Sequence, residues 1–147
     1  MLFRSRLGAA LSQADEAQVE ALGRYGLHAG IAFQIADDLL DINGSEQTAG
    51  KRTQSDFVQS TPTLPIVHLL EILRNGNGRS ASAVLARCRE SKDALRDTLQ
   101  RHGSLSYSYQ RAQEHIRRAV NALAEVPTGP GREALVRIAR GFVDRQR

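Results

Sequence analysis

The sequence contains few of the residues on which several common protein classes depend. Among its 147 residues there are one cysteine, no tryptophan and only seven phenylalanines and tyrosines together. A single cysteine, Cys88, excludes an internal disulfide and a zinc site built from several thiolates. No run approaches the ~20 apolar residues that a membrane span requires, and residues 1–13 lack the unbroken apolar core of a signal peptide. These absences predict a cytoplasmic protein without a stable membrane anchor.

The charge balance is basic but not concentrated. Twenty basic residues face sixteen acidic ones, which gives a net charge of +4, and eighteen of the twenty are arginines spread along the chain. A nucleic-acid-binding protein usually gathers its basic residues on one face and supplies aromatic rings for base stacking. The hypothesis of a helical nucleic-acid-binding protein is therefore supported by the high pI alone. Such a protein would show a steep salt dependence of binding. We expect no nucleic-acid partner.

Apolar residues recur at helical spacing along most of the chain, and no segment alternates as a strand does. Residues 1–12 predict a first helix, and Asp15-Glu16 marks the start of a second, long helix that ends near Asp41. The polar residues 45–62 predict a loop. We therefore predict an all-α helical bundle of six or seven helices, forming a single domain over residues 1–147 with the long helix at its centre.

Further helices follow the loop. Thr63 predicts an N-cap, with Pro65 in the first turn of the helix that it starts. The remaining helices are predicted at residues 83–99, 107–123 and 132–143, with breaks at residues 75–78, at Gly103-Ser104 and at residues 127–131.

The four histidines offer no catalytic arrangement. They are His28, His68, His102 and His115. A lone histidine on a helix is usually packed or solvated, and the chain has no Ser/His/Asp or Cys/His spacing that indicates a nucleophile. The chemical candidate must be sought among the carboxylates.

Three aspartates crowd about one turn of the long helix. Asp37 and Asp41 are four residues apart, and Asp38 and Asp41 are three apart, so their side chains share one stretch of helix surface. Like charges this close destabilise the helix unless a cation binds, and carboxylate oxygens suit Mg²⁺. The alternative is a solvated helix end. The apolar residues around the aspartates favour the metal site, because they indicate a helix buried on most of its girth.

The residues after the aspartates add to this prediction. Asn43-Gly44 is typical of a helix C-cap, and Gly50-Lys51 places a cation where it can fold back towards a bound anion. Metal, phosphate and lysine are therefore expected at one place.

These segments resemble a known family. The family is that of the trans-isoprenyl diphosphate synthases, the polyprenyl synthetases. The chain is similar to their second aspartate-rich motif in the segment FQIADDLLD, and to the region downstream of that motif in Gly50-Lys51, Ser55-Asp56 and Thr63-Leu64-Pro65. The resemblance covers nearly the whole chain, but the family is about twice as long. It implies the fold of the isoprenoid synthases, C-terminal half only. The first aspartate-rich motif has no counterpart here.

The resemblance also implies roles for particular residues. Asp37 would ligate Mg²⁺ directly, and Asp38 and Asp41 would hold the metal's waters. Asp56 would lie behind these residues without touching the metal. Lys51 would bind the allylic diphosphate. The substrate end of the site would include Gln34 and Phe33. Gln34 would help to hold this end, whereas Phe33 is expected to pack instead of touching substrate.

Two positions in the loop depart from the family pattern. Gln54 stands where a glycine is usual, and Ser60-Thr61 stands where Gly-Lys is usual. The second departure removes one expected phosphate contact. Further back, Gly23, Gly26 and Gly30 indicate either close helix packing, which we favour, or room for an isoprenoid tail.

The resemblance implies Mg²⁺-dependent chain elongation, in which isopentenyl diphosphate is joined to an allylic diphosphate and pyrophosphate is released. The alternative is a non-catalytic or truncated helical subunit that needs a partner chain for activity. Because half of the bundle is missing, we expect a homo- or hetero-oligomer that shields the uncovered face of the long helix.

Overall fold

The computed structural model describes residues 1–44, 62–75, 81–88 and 91–144. These residues form seven α-helices and one short 3-10 helix, and no strand occurs among them. The helices are α1 (Leu2–Leu11), α2 (Glu16–Asn43), α3 (Leu64–Asn75), α4 (Ala81–Cys88), α5 (Lys92–Arg101), α6 (Ser104–Ala122) and α7 (Pro130–Asp144), with the 3-10 turn at Leu123–Glu125. The prediction of an all-α fold is confirmed.

The long central helix is α2, and its start has a clear local cause. The Oδ1 atom of Asp15 accepts a hydrogen bond of 2.8 Å from the backbone N–H of Gln18, which is the geometry of an N-cap. The helix then runs for 28 residues, or about 42 Å at 1.5 Å per residue. It ends at Asn43, two residues beyond the predicted end.

The chain divides into two compact units. The first contains residues 1–36 and 110–147, and the second contains residues 37–109. The division falls inside α2, between Ala36 and Asp37. The three aspartates therefore belong to the second unit.

In the first unit, α1 packs closely against α2 at two of the glycines. A Cβ atom added to Gly23 would lie 2.9 Å from Cγ of Arg6. One added to Gly26 would lie 2.6 Å from Oγ of Ser5 and 3.1 Å from Cα of Leu2. At Gly26 the backbone of α1 leaves no room for a side chain, whereas at Gly23 the neighbour is the flexible side chain of Arg6. The close approach of the two helices therefore requires glycine at position 26.

The same unit is held together by contacts of α2 with α7. The hydroxyl of Tyr25 donates a hydrogen bond of 2.8 Å to the carbonyl of Leu135. The rings of Phe33 and Phe142 meet edge to face, with 5.2 Å between centroids. Small side chains on α2 and α6 are fully buried and let the helices approach: Ala21, Ala29, Ala32, Ala112 and Ala119.

Two histidines meet in the first unit. His28 on α2 and His115 on α6 bring their Nδ1 atoms within 3.0 Å, a hydrogen bond in which one imidazole donates and the other accepts. Burial is the main cause that lowers the pKa of each ring below the ordinary value of 6.5, and the charge of Arg118 lowers both further. The pair therefore favours neutral rings.

The core of the second unit is aliphatic. It consists of Leu39, Ile42, Leu69, Leu73, Cys88, Leu95, Leu99 and Leu105. Against this core, the ring of His68 stacks on Tyr107 at 4.0 Å, and its Nδ1 atom lies 3.0 Å from Oγ of Ser104. Ser104 has no exposed surface, so this Ser–His contact is structural and closed to substrate.

One helix prediction was wrong. Residues 83–99 were expected to form a single helix, but α4 ends at Cys88 and α5 begins at Lys92. The reason lies at Ser91, whose backbone is extended and whose Oγ accepts a 3.0 Å hydrogen bond from the N–H of Ala94. Serine in this position starts a new helix instead of continuing the old one.

The start of α3 agrees with the sequence in position but not in detail. The helix begins directly after Thr63, and Pro65 is buried in its first turn. The Thr63 hydroxyl is buried and makes no hydrogen bond with any residue that the structure describes. The expected side-chain cap is therefore not formed there.

Candidate metal site

The three aspartates lie in the last two turns of α2. Helical spacing puts Asp37 and Asp41 on an open side of the helix, where both are exposed, while Asp38 is half-buried. Leu39, between Asp38 and Asp41, and Ile42, directly after Asp41, are buried in the aliphatic core and fix the orientation of the helix end. The folding of the helix thus presents the acidic side outward.

The open side of α2 also carries residues other than the aspartates. Leu40 next to the aspartates is 38% exposed, and Gln34, one turn before Asp37, is also exposed. The helix is nevertheless buried on most of its girth, as expected, because six of the seven apolar residues around the aspartates are buried or half-buried. Leu40 is the exception.

The carboxylates repel one another in the absence of a cation. The pKa of Asp38 is raised above its ordinary value, first because burial disfavours the charged form and then because Asp37 and Asp41 are negative. A bound cation would remove the cost of both effects. The electrostatics of this helix end therefore fit a metal ion.

The donor set fits Mg²⁺ as an open site and not as a cage. Within the described residues no group of three or more His, Cys, Asp or Glu side chains converges to enclose an ion. Mg²⁺ does not require such a cage, because it keeps several waters and binds through one or two carboxylates together with substrate phosphates. Exposed aspartates on one helix face suit that manner of binding.

The other predicted site residues have different outcomes. Lys51 and Asp56 lie outside the residues that the structure describes, so their approach to the aspartates stays a prediction. Gln34 shares the open side of α2. Phe33 packs on Phe142, in agreement with a packing role.

The end of α2 is not held by glycine in the way that the sequence indicated. Gly44 does not adopt a left-handed backbone conformation, so the expected glycine C-cap is wrong in its geometry. The Nζ atom of Lys92 instead donates a 2.7 Å hydrogen bond to the carbonyl of Gly44. The two residues are 48 positions apart, and no local signal in the sequence pairs them.

Two surface cavities in the first unit do not involve these residues. One of about 410 Å³ is lined by Thr128, Arg132 and their neighbours, and one of about 230 Å³ is lined by Arg111, Arg117 and theirs. Neither contains a predicted site residue. In the described part of the chain, no helix is both long and apolar enough to cross a membrane.

Solved structures with the same fold define the class of protein. A decaprenyl diphosphate synthase from Rhodobacter capsulatus superposes with a TM-score of 0.77 at 31% identity, over 97% of this chain and 45% of that one. A polyprenyl synthase from Caulobacter crescentus, complexed with calcium and isoprenyl diphosphate, gives 0.76 at 35% identity, over 97% and 44%. The fold is that of the isoprenyl diphosphate synthases.

The sequence profile of the polyprenyl synthetases matches residues 2–101. The chain belongs to the polyprenyl synthetase family, as the motifs predicted. Among its relatives, the octaprenyl diphosphate synthase of Haemophilus influenzae is 36% identical over 135 residues, and the geranylgeranyl pyrophosphate synthase of Geoglobus acetivorans is 34% identical over 135. These alignments cover 88% and 89% of this chain. The chain spans about 40% of the length of each of these relatives.

Proposed function

We propose that the chain forms the Mg²⁺-binding wall of a prenyltransferase that joins isopentenyl diphosphate to an allylic polyprenyl diphosphate. The observation that carries the proposal is the acidic, outward-facing end of α2, where burial and two neighbouring carboxylates raise the pKa of Asp38. Membership of the polyprenyl synthetase family, whose relatives here are named prenyl diphosphate synthases, supports the choice of reaction.

In the proposed reaction the allylic carbon–oxygen bond breaks and pyrophosphate leaves with the bonding electrons. The double bond of isopentenyl diphosphate attacks the resulting cation, a carbon–carbon bond forms, and loss of a proton restores a double bond. Bound Mg²⁺ supplies charge that stabilises the departing pyrophosphate.

We assign the residues of this chain as follows. Asp37 would ligate the metal, Asp38 and Asp41 would hold its waters and orient Asp37, and Asp56 would lie behind these three residues without touching the metal. Lys51 binds the allylic diphosphate. Gln34 on the open side of α2 helps to hold the substrate end, and Phe33 supports this end by packing on Phe142.

Replacement of Asp37 tests this assignment directly. We expect Asp37→Ala to abolish Mg²⁺-dependent binding of pyrophosphate in calorimetry, because the direct ligand is lost. Asp97→Ala on α5 removes an exposed carboxylate outside the cluster and should leave binding intact. Unchanged binding by Asp37→Ala would refute the site.

We further propose that activity requires a second polypeptide segment, which makes the chain one part of a homo- or hetero-oligomer in the cytoplasm. The chain spans about 40% of its relatives, and apolar side chains remain uncovered on α1 and α2, among them Phe3, Leu11 and Leu27. One acidic wall holds a metal and a diphosphate only weakly. The single-domain organisation over residues 1–147 remains part of this proposal.

The assay for this second proposal is elongation itself. The purified chain, labelled isopentenyl diphosphate, an allylic primer and Mg²⁺ should give no measurable product, whereas addition of a chain bearing the opposite aspartate motif should give turnover. Elongation by the 147-residue chain alone that depends on both Mg²⁺ and Asp37 would contradict the requirement for a partner.

A further inference from the structure

Lys92 connects α5 to the acidic end of α2. It is the first residue of α5, it is half-buried, and its Nζ atom donates a 2.7 Å hydrogen bond to the carbonyl of Gly44. Gly44 follows directly on the last residue of α2. Both residues belong to the same compact unit.

The position of this lysine is not explained by its own helix. A cation in the first turn of a helix faces the positive end of the helix dipole, where an anion is favoured. The chain has only two lysines, Lys51 and Lys92, against eighteen arginines. The carbonyl end of α2 therefore offers Lys92 a favourable contact that the start of its own helix does not.

The base of the lysine is firmly placed. Ser91 caps α5 through the N–H of Ala94, and Leu95 and Leu99 on the next turns are buried in the aliphatic core. Because α5 is fixed at its first turn, the backbone of Lys92 has a defined position from which the side chain reaches Gly44.

The end of α2 needs such a partner. Its last turn contains no basic residue, and Gly44 does not adopt the left-handed conformation that usually closes a helix. The last turns carry three aspartates at the negative end of the dipole, where carboxylates are unfavourable. A cation from outside the helix should therefore make opening of this turn less frequent.

We propose that Lys92 is a positioning residue, which caps the carbonyl end of α2 and so holds Asp37, Asp38 and Asp41 in place for the metal. This inference rests on the proposed function. Lys92 does not touch the substrate in this role. It acts through the backbone on which the aspartates stand.

The first test measures the helix end without any metal. The N–H of Gly44 donates a 2.7 Å hydrogen bond to the carbonyl of Leu40, and its hydrogen exchange reports opening of the last turn. We expect Lys92→Met to speed this exchange about two- to fivefold, the size of the effect of one charge at a helix end. Lys92→Arg should restore most of the protection.

Arg101→Met is the matched control. Arg101 also donates to a helix carbonyl, that of Asp97, at 3.2 Å and in the same unit, but within its own helix. Its replacement should leave the exchange of Gly44 unchanged. If the Lys92→Met variant loses its helical circular dichroism signal, the exchange of Gly44 is compared in the Lys92→Gln variant instead.

The second test uses the sign of a change in metal affinity, with Mn²⁺ as a paramagnetic probe in the full chain. If Lys92 positions the aspartates, Lys92→Met should weaken Mn²⁺ binding about two- to fivefold, and Lys92→Arg should recover it. If the lysine acts merely as a nearby positive charge, its removal should tighten binding of a cation.

Unchanged exchange at Gly44, or tighter Mn²⁺ binding by Lys92→Met, would overturn the positioning role. Failure of the proposed function gives a different pattern. In that case the unaltered chain and Asp37→Ala bind Mn²⁺ equally poorly, while the exchange experiment still reports whether Lys92 holds the helix end.

Discussion

At the scale of single residues, the aspartates of α2 oppose the stability of the helix that carries them. Asp41 is expected to destabilise the helix most. Asp37 and Asp38 precede it by four and three residues, and it lies in the last turn of the helix. A carboxylate there is disfavoured twice.

Asp41→Asn should therefore stabilise the metal-free chain. We expect a gain of about 0.5–1.5 kcal/mol in the free energy of unfolding, from two relieved like-charge pairs and one anion removed from a helix C-terminus. Thermal unfolding with and without Mg²⁺ checks this, and Mg²⁺ should stabilise the original chain more than the variant.

Asp144→Asn provides the control for Asp41. Asp144 is the last residue of α7 and thus shares the helix-end position without the two neighbouring carboxylates. A gain as large as that of Asp41→Asn would show that mutual repulsion contributes nothing.

The histidine pair makes the stability of the first unit depend on pH. Burial is the largest cause of the lowered pKa of His28 and of His115, followed by Arg118 for the former and by His28 and Arg118 for the latter, while Glu114 acts in the opposite direction on His115. The folded chain therefore binds protons less readily than the unfolded chain.

The stabilising contribution of the pair is complete above the ordinary pKa of about 6.5 and is lost as the pH falls below it. Urea unfolding at pH 7.5 and pH 5.5 should show a lower midpoint at the acid pH. His115→Gln should reduce this difference, whereas His102→Gln, outside the pair, should preserve it. An equal difference in all three proteins would contradict the assignment.

The sequence predicts candidate site residues where their signal is local. The spacing of Asp37, Asp38 and Asp41 on one helix predicts that their carboxylates lie close together. Lys92 and Gly44 are 48 positions apart, and the contact forms because helix packing brings two termini together. Spacing rules do not extend to such a pair.

At the scale of helices, the contact of α1 with α2 depends on the absence of side chains. Gly26 is the closest point, since an added Cβ would meet both the Ser5 hydroxyl and the backbone Cα of Leu2. A side chain can rotate away, but the backbone of α1 must shift as a whole.

Gly26→Ala should consequently destabilise the chain by about 1–3 kcal/mol, the usual cost of overpacking. The matched change is Gly141→Ala in α7, where no atom lies within 4 Å of the added Cβ. That change should stabilise by about 0.5–1 kcal/mol because alanine favours the helix. Chemical unfolding of both variants gives the comparison, and equal effects would show that α1 does not press on Gly26.

Apolar spacing in the sequence predicted the positions of the helices, but it did not predict the break between α4 and α5. The long helix and its end were predicted within two residues of Asn43. The interruption before α5 was missed because the apolar pattern continues across it and the signal is the single hydroxyl of Ser91. Capping is a local hydrogen bond that periodicity does not register.

At the scale of the whole molecule, α1 presents an apolar stripe to solvent. Phe3, Leu7 and Leu11 recur every four residues and are exposed, with Phe3 and Leu11 at 76%. Surfaces of this kind are usually interaction sites. This supports the proposal that another chain or copy covers it.

Sedimentation should therefore detect association of the purified chain. The double change Phe3→Asp and Leu11→Asp should shift it towards monomer without loss of helical signal, because neither side chain is buried. Ile138→Asp, an exposed apolar position on α7, should leave association unchanged. A compact monomer at all concentrations would count against the proposal.

The boundary between the two compact units has an evolutionary consequence. It falls between Ala36 and Asp37, inside α2, where a cut would leave about four N–H groups and four carbonyls without helical partners. Recombination at this boundary would damage both products at once. We expect the two units to be inherited together, with viable rearrangements of the gene confined to segments outside this helix.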